Sequence, residues 1–199
     1  NERVKKYLLG RGIAGEIIEY CIAQRLLYEE SRYHNAVFIG YDGENPKYAA
    51  IRGTNTKRRF LAEAGGSNKA FCFCLCKGKD KLNVFESAID AMSYASMVLE
   101  GGEDWTQQTY LSLGGVYKNN QNRLPIALEK YLSEHGEPQE IILRLDHDEV
   151  GRNATKDILS GLTNAKAVFC EKGKDYNEFL MMQKGLFSSD RSCGKEMDR

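Results

Sequence analysis

The sequence predicts an α/β protein, in which a parallel sheet of about four strands flanked by helices follows an N-terminal α+β subdomain with a small antiparallel sheet. Three observations support this fold class. The first 27 residues show helical periodicity, two short apolar runs then surround a turn, and from residue 82 onward short apolar runs alternate with helical stretches. Strands that alternate with helices are typical of βαβ units, whose strands run parallel.

The N-terminal subdomain is predicted to span residues 1–79. Two helical stretches come first, separated by an Arg-Gly break. Residues 36–41 and 48–52 are apolar runs around an Asp-Gly-Glu-Asn-Pro segment, and this arrangement indicates a β-hairpin. The apolar run at 70–76 is expected to add a further strand to the same small sheet.

Six cysteines raise the question of a zinc site or of disulfide bonds. Cys72, Cys74 and Cys76 alternate, so an extended strand would present all three on one face. Zinc ligands come more often as C-x2-C pairs, and the sequence contains no such pair. We therefore expect a reduced and at least half-buried strand face, which fits a cytoplasmic protein.

A second domain is predicted to span residues 80–187. Its elements are expected to alternate along the chain, with strands at 82–85, 110–113, 140–145 and 166–170 and helices at 87–99, 124–134, 150–159 and 177–183. The polar segment 188–199 is expected to be a disordered tail. Because the chain begins with Asn1 rather than Met, we interpret it as a piece of a longer protein.

The overall charge indicates no partner, because Lys and Arg together number 28 and so do Asp and Glu. No apolar run approaches the roughly 20 residues that a membrane-spanning helix needs, so no membrane partner is expected. The charge is nevertheless uneven, since residues 47–81 carry nine basic and two acidic residues. Basic side chains can hold phosphates without regard to base sequence, although a short charged run is often only a solvated loop. The candidates for contacts to nucleic acid or nucleotides are Arg52, Lys57, Arg58, Arg59, Lys69 and Arg152.

Acidic residues follow three of the strands predicted for the second domain. Glu86 follows the first strand, Asp146 and Asp148 follow the third, and Asp175 lies just past the fourth. The carboxyl ends of parallel strands meet at one edge of a sheet, where ligands bind. Crowded carboxylates repel one another unless a cation neutralises them, and Mg²⁺ takes oxygen ligands. The sequence therefore predicts that these four residues hold Mg²⁺ or Mn²⁺, and that the first three are catalytic.

Each of these acids also has a simpler explanation. Asp and Glu are frequent in the first turn of a helix, where they complement its dipole, and a lone D-x-D pair arises often by chance. Asp90 lies one helical turn after Glu86, and it fits a helix N-terminal charge better than a direct role. His147 is the middle residue of the D-x-D triplet, so we expect its side chain to point away from the metal.

The acidic motifs resemble those of the TOPRIM domain, which bacterial primases, type IA and type II topoisomerases and certain nucleases share. Residues 84–90 (Val-Phe-Glu-Ser-Ala-Ile-Asp) look like its first motif and residues 145–152 (Leu-Asp-His-Asp-Glu-Val-Gly-Arg) like its second. Residues 174–180 (Lys-Asp-Tyr-Asn-Glu-Phe-Leu) resemble the segment after the fourth strand of primases. The resemblance implies that Glu86 is a general acid/base or metal ligand, with the D-x-D aspartates as further ligands.

Residues 1–79 resemble the uncharacterised domain that precedes TOPRIM modules in mobile-element proteins. Together the two resemblances imply a metal-dependent, primase-like nucleotidyltransferase core of a DNA replication or mobile-element protein. Its partners would be nucleic acid, preferably single-stranded DNA, nucleotides, and other replication or conjugation proteins. Two alternatives stay open, because the same carboxylates serve all three functions: a TOPRIM nuclease that cleaves DNA or RNA, and a catalytically degenerate nucleic-acid-binding module.

Overall fold

The computed structural model describes residues 1–75, 78–115 and 124–186 of the chain. The N-terminal part consists of two helices and an antiparallel sheet whose four strands are ordered as in the sequence. These elements are α1 (Glu2–Leu9), α2 (Gly15–Ala23), β1 (Leu27–Glu29), β2 (Ala36–Asp42), β3 (Asn45–Arg52) and β4 (Leu61–Glu63). The β2–β3 pair is the hairpin that the sequence predicts, with a turn at Gly43 and Glu44.

The second part is built on a mixed sheet of five strands. The strands are β5 (Cys74–Leu75), β6 (Lys81–Phe85), β7 (Gln108–Ser112), β8 (Glu140–Leu143) and β9 (Ala165–Ala167), in the spatial order β5-β7-β6-β8-β9. The last four are parallel, and β5 alone is antiparallel to its neighbour. Helices α3 (Ala88–Glu100), α4 (Ile126–His135), α5 (Glu149–Ser160) and α6 (Tyr176–Gln183) accompany the sheet. The α/β fold class is thus confirmed.

The strand predicted at 70–76 is wrong in extent and in partner. Lys69–Phe71 form a 3₁₀ turn, because the Asn68 side chain accepts a hydrogen bond from the Ala70 N–H at 3.0 Å. Of the described residues 70–75, only Cys74 and Leu75 form a strand, and they pair with β7 of the larger sheet instead of with the small one. The N-terminal part therefore contributes an edge strand to the second sheet.

No disulfide joins the described cysteines, and their positions differ from the single strand face that was predicted. Cys72 is buried but lies outside any strand, and Cys74 on β5 is half-buried. Cys21 and Cys170 are both buried. Cys76 and the predicted tail at 188–199 lie outside the described residues.

Two hydrophobic clusters each join residues from both sides of the boundary predicted near residue 80. Val4, Leu8 and Ile17 belong to the same buried cluster as Met92 of α3 and Leu180 of α6. Polar contacts reinforce this junction. The Ala14 N–H donates to Ser96 Oγ at 3.0 Å, and the Trp105 indole N–H donates to the Glu16 carboxylate at 2.8 Å. The two parts are thus packed together through α2 and α3.

None of the helices in the described ranges has both the length and the apolarity needed to cross a membrane.

Candidate metal centre

Glu86 and Asp146 meet at the carboxyl edge of the larger sheet. Their strands, β6 and β8, are neighbours in parallel register, with Val84 opposite Leu143. Glu86 and Asp146 follow the carboxyl ends of these two strands, and the Asp146 backbone N–H donates to Glu86 Oε1 at 3.3 Å. The placement that the sequence predicts for these two carboxylates therefore follows from the pairing of two adjacent parallel strands.

The two aspartates of the D-x-D motif are joined by a lysine. The Lys174 ammonium nitrogen lies 3.2 Å from Asp146 Oδ2 and 3.2 Å from Asp148 Oδ2. Asp148 also begins helix α5, since its carboxylate accepts the Gly151 N–H at 2.9 Å. A β-carbon at Gly151 would lie 2.1 Å from the Asp146 carbonyl oxygen, so the turn after the motif requires glycine. The ring of His147 stacks on Phe169, with 5.0 Å between centroids.

Two further acids, Asp90 and Asp175, lie close to Asp146. Asp175 begins α6 and accepts the Glu178 N–H at 2.7 Å. Asp90 is buried, and it accepts hydrogen bonds from the Ser87 hydroxyl and the Asn177 N–H. Burial raises the pKa of Asp90 well above its usual value, and the charges of Asp175 and Asp146 add to this effect.

Asp90 lies in the first turn of α3, as the sequence predicts, and its charge interacts with those of Asp175 and Asp146. Its spacing of one helical turn from Glu86 is the sequence signal for this proximity.

The acids of the cluster differ in charge near neutral pH. Burial, followed by the nearby charge of Asp146, raises the pKa of Glu86 to about 7. Burial and then the charge of Asp175 raise the pKa of Asp146 to about 6. The pKa of Asp148 is instead lowered, because its carboxylate accepts the Gly151 N–H and faces Lys174. The cluster therefore holds more negative charge than its surroundings favour, which a bound cation would relieve.

The donor atoms suit a hard divalent cation. Within residues 1–75, 78–115 and 124–186, no three His, Cys, Asp or Glu side chains are arranged to ligate one ion, and the Lys174 ammonium lies between the two aspartates. The carboxylates of Glu86, Asp146 and Asp148 are all oxygen donors at one sheet edge. Mg²⁺ and Mn²⁺ prefer such oxygen ligands. The chemistry of the residues fits these ions, and the ligand set stays a prediction.

A buried arginine supports the same edge, and sequence reasoning missed it. Arg144 lies two residues before Asp146, and its guanidinium donates to Asn83 Oδ1 at 2.9 Å and to the hydroxyls of Tyr176 and Tyr94 at 2.9 and 2.6 Å. The guanidinium carbon of Arg144, Cζ, lies 3.8 Å from the centroid of the Tyr94 ring. No salt bridge to Arg144 occurs in the described part of the chain, so its charge is balanced by neutral oxygen acceptors and by the Tyr94 ring. A charge inside the apolar run 141–145 was the available signal.

The basic candidates divide into two groups. Arg52 and Glu86 line the same cavity of about 300 Å³ between the small sheet and the edge of the larger one. Lys69 pairs with Glu63 at 2.8 Å and donates to the carbonyl of Gly114, another residue of that cavity.

The remaining candidates lie outside that cavity. Lys57, Arg58 and Arg59 are exposed on the loop between β3 and β4. Arg152 is exposed on α5, and its guanidinium lies 3.4 Å from the His147 carbonyl oxygen. The structure therefore places Arg52 and Glu86 in the wall of one cavity. Among the described residues, Lys57, Arg58 and Arg59 form no salt bridge with the acidic cluster.

Two family models match the chain. Residues 83–180 match a family described as Toprim-like, and residues 6–80 match a protein family of unknown function, DUF3991. These ranges include the acidic edge and the N-terminal helices and small sheet. A search of curated proteins found no match.

Two solved structures share the fold. The primase fragment of the bacteriophage T7 primase-helicase protein is 20% identical with a TM-score of 0.60, over 88% of this chain and 68% of that chain. The second is a structure of bacteriophage T7 lagging-strand DNA polymerase interacting with primase domains of two gp4 subunits bound to an RNA/DNA hybrid and dTTP. A chain of it is 22% identical with a TM-score of 0.59, over 88% of this chain and 83% of that chain.

At these identities the similarity concerns the fold. Together with the family matches, it confirms the resemblance drawn from the motifs at 84–90 and 145–152. The chain therefore contains a Toprim-like domain at residues 83–180, preceded by a domain of the DUF3991 family at residues 6–80.

Proposed function

We propose that this chain is the core of a metal-dependent, primase-like nucleotidyltransferase. The observation that carries the proposal is the meeting of Glu86 with Asp146 at the sheet edge, where Glu86 also faces a cavity lined by Arg52. Asp146, Asp148 and Glu86, with Asp175 as an auxiliary ligand, would hold Mg²⁺ or Mn²⁺. When bound, the metal neutralises the carboxylates and stabilises the charge that develops on the transferred phosphoryl group.

The residues of the chain then have separate tasks. Glu86 has a pKa of about 7, so near pH 8 it is mainly a carboxylate that can accept the proton of a 3′-hydroxyl. As that proton moves to Glu86, the 3′ oxygen bonds to the α-phosphorus of a nucleotide and the bond to the pyrophosphate breaks. Arg52 and Lys69 would orient the triphosphate, and the loop cations Lys57, Arg58 and Arg59, together with Arg152, would hold single-stranded DNA.

The cavity beside Glu86 favours synthesis over cleavage. Its volume of about 300 Å³ is at the lower end of the usual range for small-molecule sites. Tyr48 and Phe38 contribute aromatic walls to it, which suits a nucleotide base and sugar. A nuclease, whose nucleophile is water, has no need of such a space. We place the protein in the cytoplasm, acting with other replication or conjugation proteins.

The test is incorporation of ribonucleotides on single-stranded DNA in the presence of Mg²⁺ or Mn²⁺. Glu86→Gln should lower the rate about 100-fold or more, because general-base catalysis contributes at least that much, and Asp146→Asn should abolish metal binding. Glu149→Gln is the matched control, since Glu149 is an exposed acid beside the motif. Cleavage without nucleotides would identify a nuclease instead, and nucleic-acid binding with neither reaction would identify a degenerate module.

A further inference from the structure

A second groove of the described chain shares no lining residue with the Glu86 cavity. It has a volume of about 980 Å³ and runs between α1, the loop after β3 and α6. Its walls contain three cations, two acids and two threonines, together with apolar and aromatic side chains, namely Arg3, Lys6, Arg11, Glu2, Glu178, Thr54, Thr56, Tyr7, Met181 and Leu186. The lining is therefore mixed, with one more cation than acids and an aromatic ring among them.

The three cations of this groove have no acidic partner in the part of the chain that the structure describes. Neighbouring Lys5, in contrast, lies outside the groove and pairs with Glu19 at 2.8 Å. Arg3 and Lys6 are exposed, so their charges face the groove and solvent. Helix α1 thus carries one cation in an ion pair, Lys5, and two that form no ion pair among the described residues, Arg3 and Lys6. These two line the groove together with Glu2.

Arg11 is held in place while part of its hydrogen-bonding capacity is unused. Its guanidinium lies 5.6 Å from the centroid of the Tyr7 ring and donates to the Tyr7 hydroxyl at 3.4 Å. Its Nε–H is buried and has no acceptor among the described residues. A fixed guanidinium in the groove wall is well suited to an anionic oxygen, and the Tyr7 ring in the same wall offers a face for a base.

Two contacts connect the groove to the acidic edge. Asn177 donates from its side chain to the Arg11 carbonyl at 3.0 Å and from its backbone to Asp90 at 3.1 Å. Glu178 lines the groove and accepts the backbone N–H of Lys174, whose ammonium bridges the D-x-D aspartates. One end of the groove therefore adjoins the residues that surround the candidate metal centre.

We propose that this groove binds the phosphate backbone of single-stranded nucleic acid and leads it toward the acidic edge. Arg3, Lys6 and Arg11 would contact phosphates, and the hydroxyls of Thr54 and Thr56 would donate to them. This inference rests on the proposed function for its direction toward the metal, but the binding itself needs no metal and no catalysis. It adds the first helix of the chain to the nucleic-acid-binding surface, beside the loop cations.

The experiment measures binding of a labelled single-stranded DNA oligonucleotide by fluorescence anisotropy at several salt concentrations, without metal. For single strands, log K falls with log salt by about 0.7 for each phosphate contact. The double variant Arg3→Gln/Lys6→Gln should reduce the slope by about 1.4 and weaken binding. Lys5→Gln removes one charge from the same helix outside the groove, and its slope should equal that of the unaltered chain. Circular dichroism checks that each variant keeps its helices.

Arg11→Lys serves as a second variant, because it keeps the charge but removes the fixed guanidinium fork. It should weaken binding while leaving the salt slope unchanged. Equal affinity and slope for Arg3→Gln/Lys6→Gln and Lys5→Gln would overturn the proposal. The two proposals fail separately: a chain that binds DNA through the groove but incorporates no nucleotide disproves only the proposed function. Nucleotide incorporation with groove variants that bind normally disproves only this inference.

Discussion

At the scale of single residues, the acids of the metal centre owe their different charge to their surroundings. Glu86 is 7% exposed and receives one backbone N–H, whereas Asp148 is half-buried, begins a helix and faces an ammonium group. The first environment disfavours the anion and the second favours it. The pKa of Glu86 is therefore raised and the pKa of Asp148 lowered within one cluster. Such a difference allows Glu86 to accept a proton while Asp148 remains an anion.

The raised pKa values of Glu86 and Asp146 predict how stability depends on pH without metal. Between pH 4 and pH 7 the folded chain binds more protons at these groups than the unfolded chain does, so stability falls as pH rises through this window. Asp148, whose pKa is lowered, stays ionised in the folded chain across this window, so it does not contribute to the fall in stability. We expect a lower Tm at pH 7.5 than at pH 5 in EDTA, and a larger gain from Mg²⁺ at the higher pH.

Thermal unfolding followed by circular dichroism measures both effects. Glu86→Gln is the informative variant, since an amide does not titrate and the fall in Tm should become smaller. A Tm that rises between pH 5 and pH 7.5 in EDTA would contradict the assigned pKa shifts.

Arg144 leads to a separate prediction. Arg144→Met removes the donor to Asn83 and to two tyrosine hydroxyls, and each buried polar group left without a partner costs about 1–3 kcal/mol. The free energy of unfolding, measured by urea titration, should fall by several times the change in Arg152→Met, whose arginine is exposed. A similar small change in both variants would mean that Arg144 contributes little.

At the scale of elements, the turn between Asp146 and α5 is the tightest feature of the site. Gly151→Ala would place a β-carbon 2.1 Å from the Asp146 carbonyl oxygen, and backbone there must shift to admit it. We expect a loss of about 1–3 kcal/mol in stability, together with weaker Mn²⁺ binding measured by calorimetry. Gly102→Ala is a comparison at an exposed turn where no atom lies within 4 Å, so any loss there reports the strain of its positive φ alone.

The elements also show how far sequence patterns reach. Strands β6, β7 and β8 and the helices that follow them were predictable, because buried parallel strands are apolar runs and each is followed by a periodic helix. Strand β9 is half-buried or exposed, and it is shorter than the strand predicted at 166–170. The convergence of Glu86 with the D-x-D pair followed from strand ends alone. The pairing of β5 with β7 was not predictable, because β7 lies more than 30 residues further along the chain. The contacts of Lys174 and Arg144 were not predicted for the same reason, because their partners are distant in sequence.

At the scale of the whole molecule, the DUF3991 and Toprim-like parts share a hydrophobic cluster. Helices α1 and α2 contribute Val4, Leu8, Ile17 and Ile18 to the core that also contains Met92. A large apolar side chain removed from water stabilises a protein by about 1.5–3 kcal/mol. The loss of these helices would therefore expose the outer face of α3.

A truncated chain of residues 80–199 tests this dependence. We expect it to lack a cooperative thermal transition and to bind the dye ANS, since the face of α3 that α2 covers would be open. The comparison is a chain shortened only at its C-terminus, after residue 186, which keeps the shared core. Cooperative unfolding of residues 80–199 with unchanged Mn²⁺ binding would show that the Toprim-like part folds independently.

The two-residue strand β5 affects whether two molecules can pair through the edges of their sheets. It covers the outer side of β7, whose five residues are all buried. An open strand of that kind offers unpaired N–H and C=O groups to any other chain, and very short edge strands are one way in which proteins prevent such pairing. Because β5 belongs to the segment before the Toprim-like domain, that segment also protects the molecule from aggregation through its sheet edge.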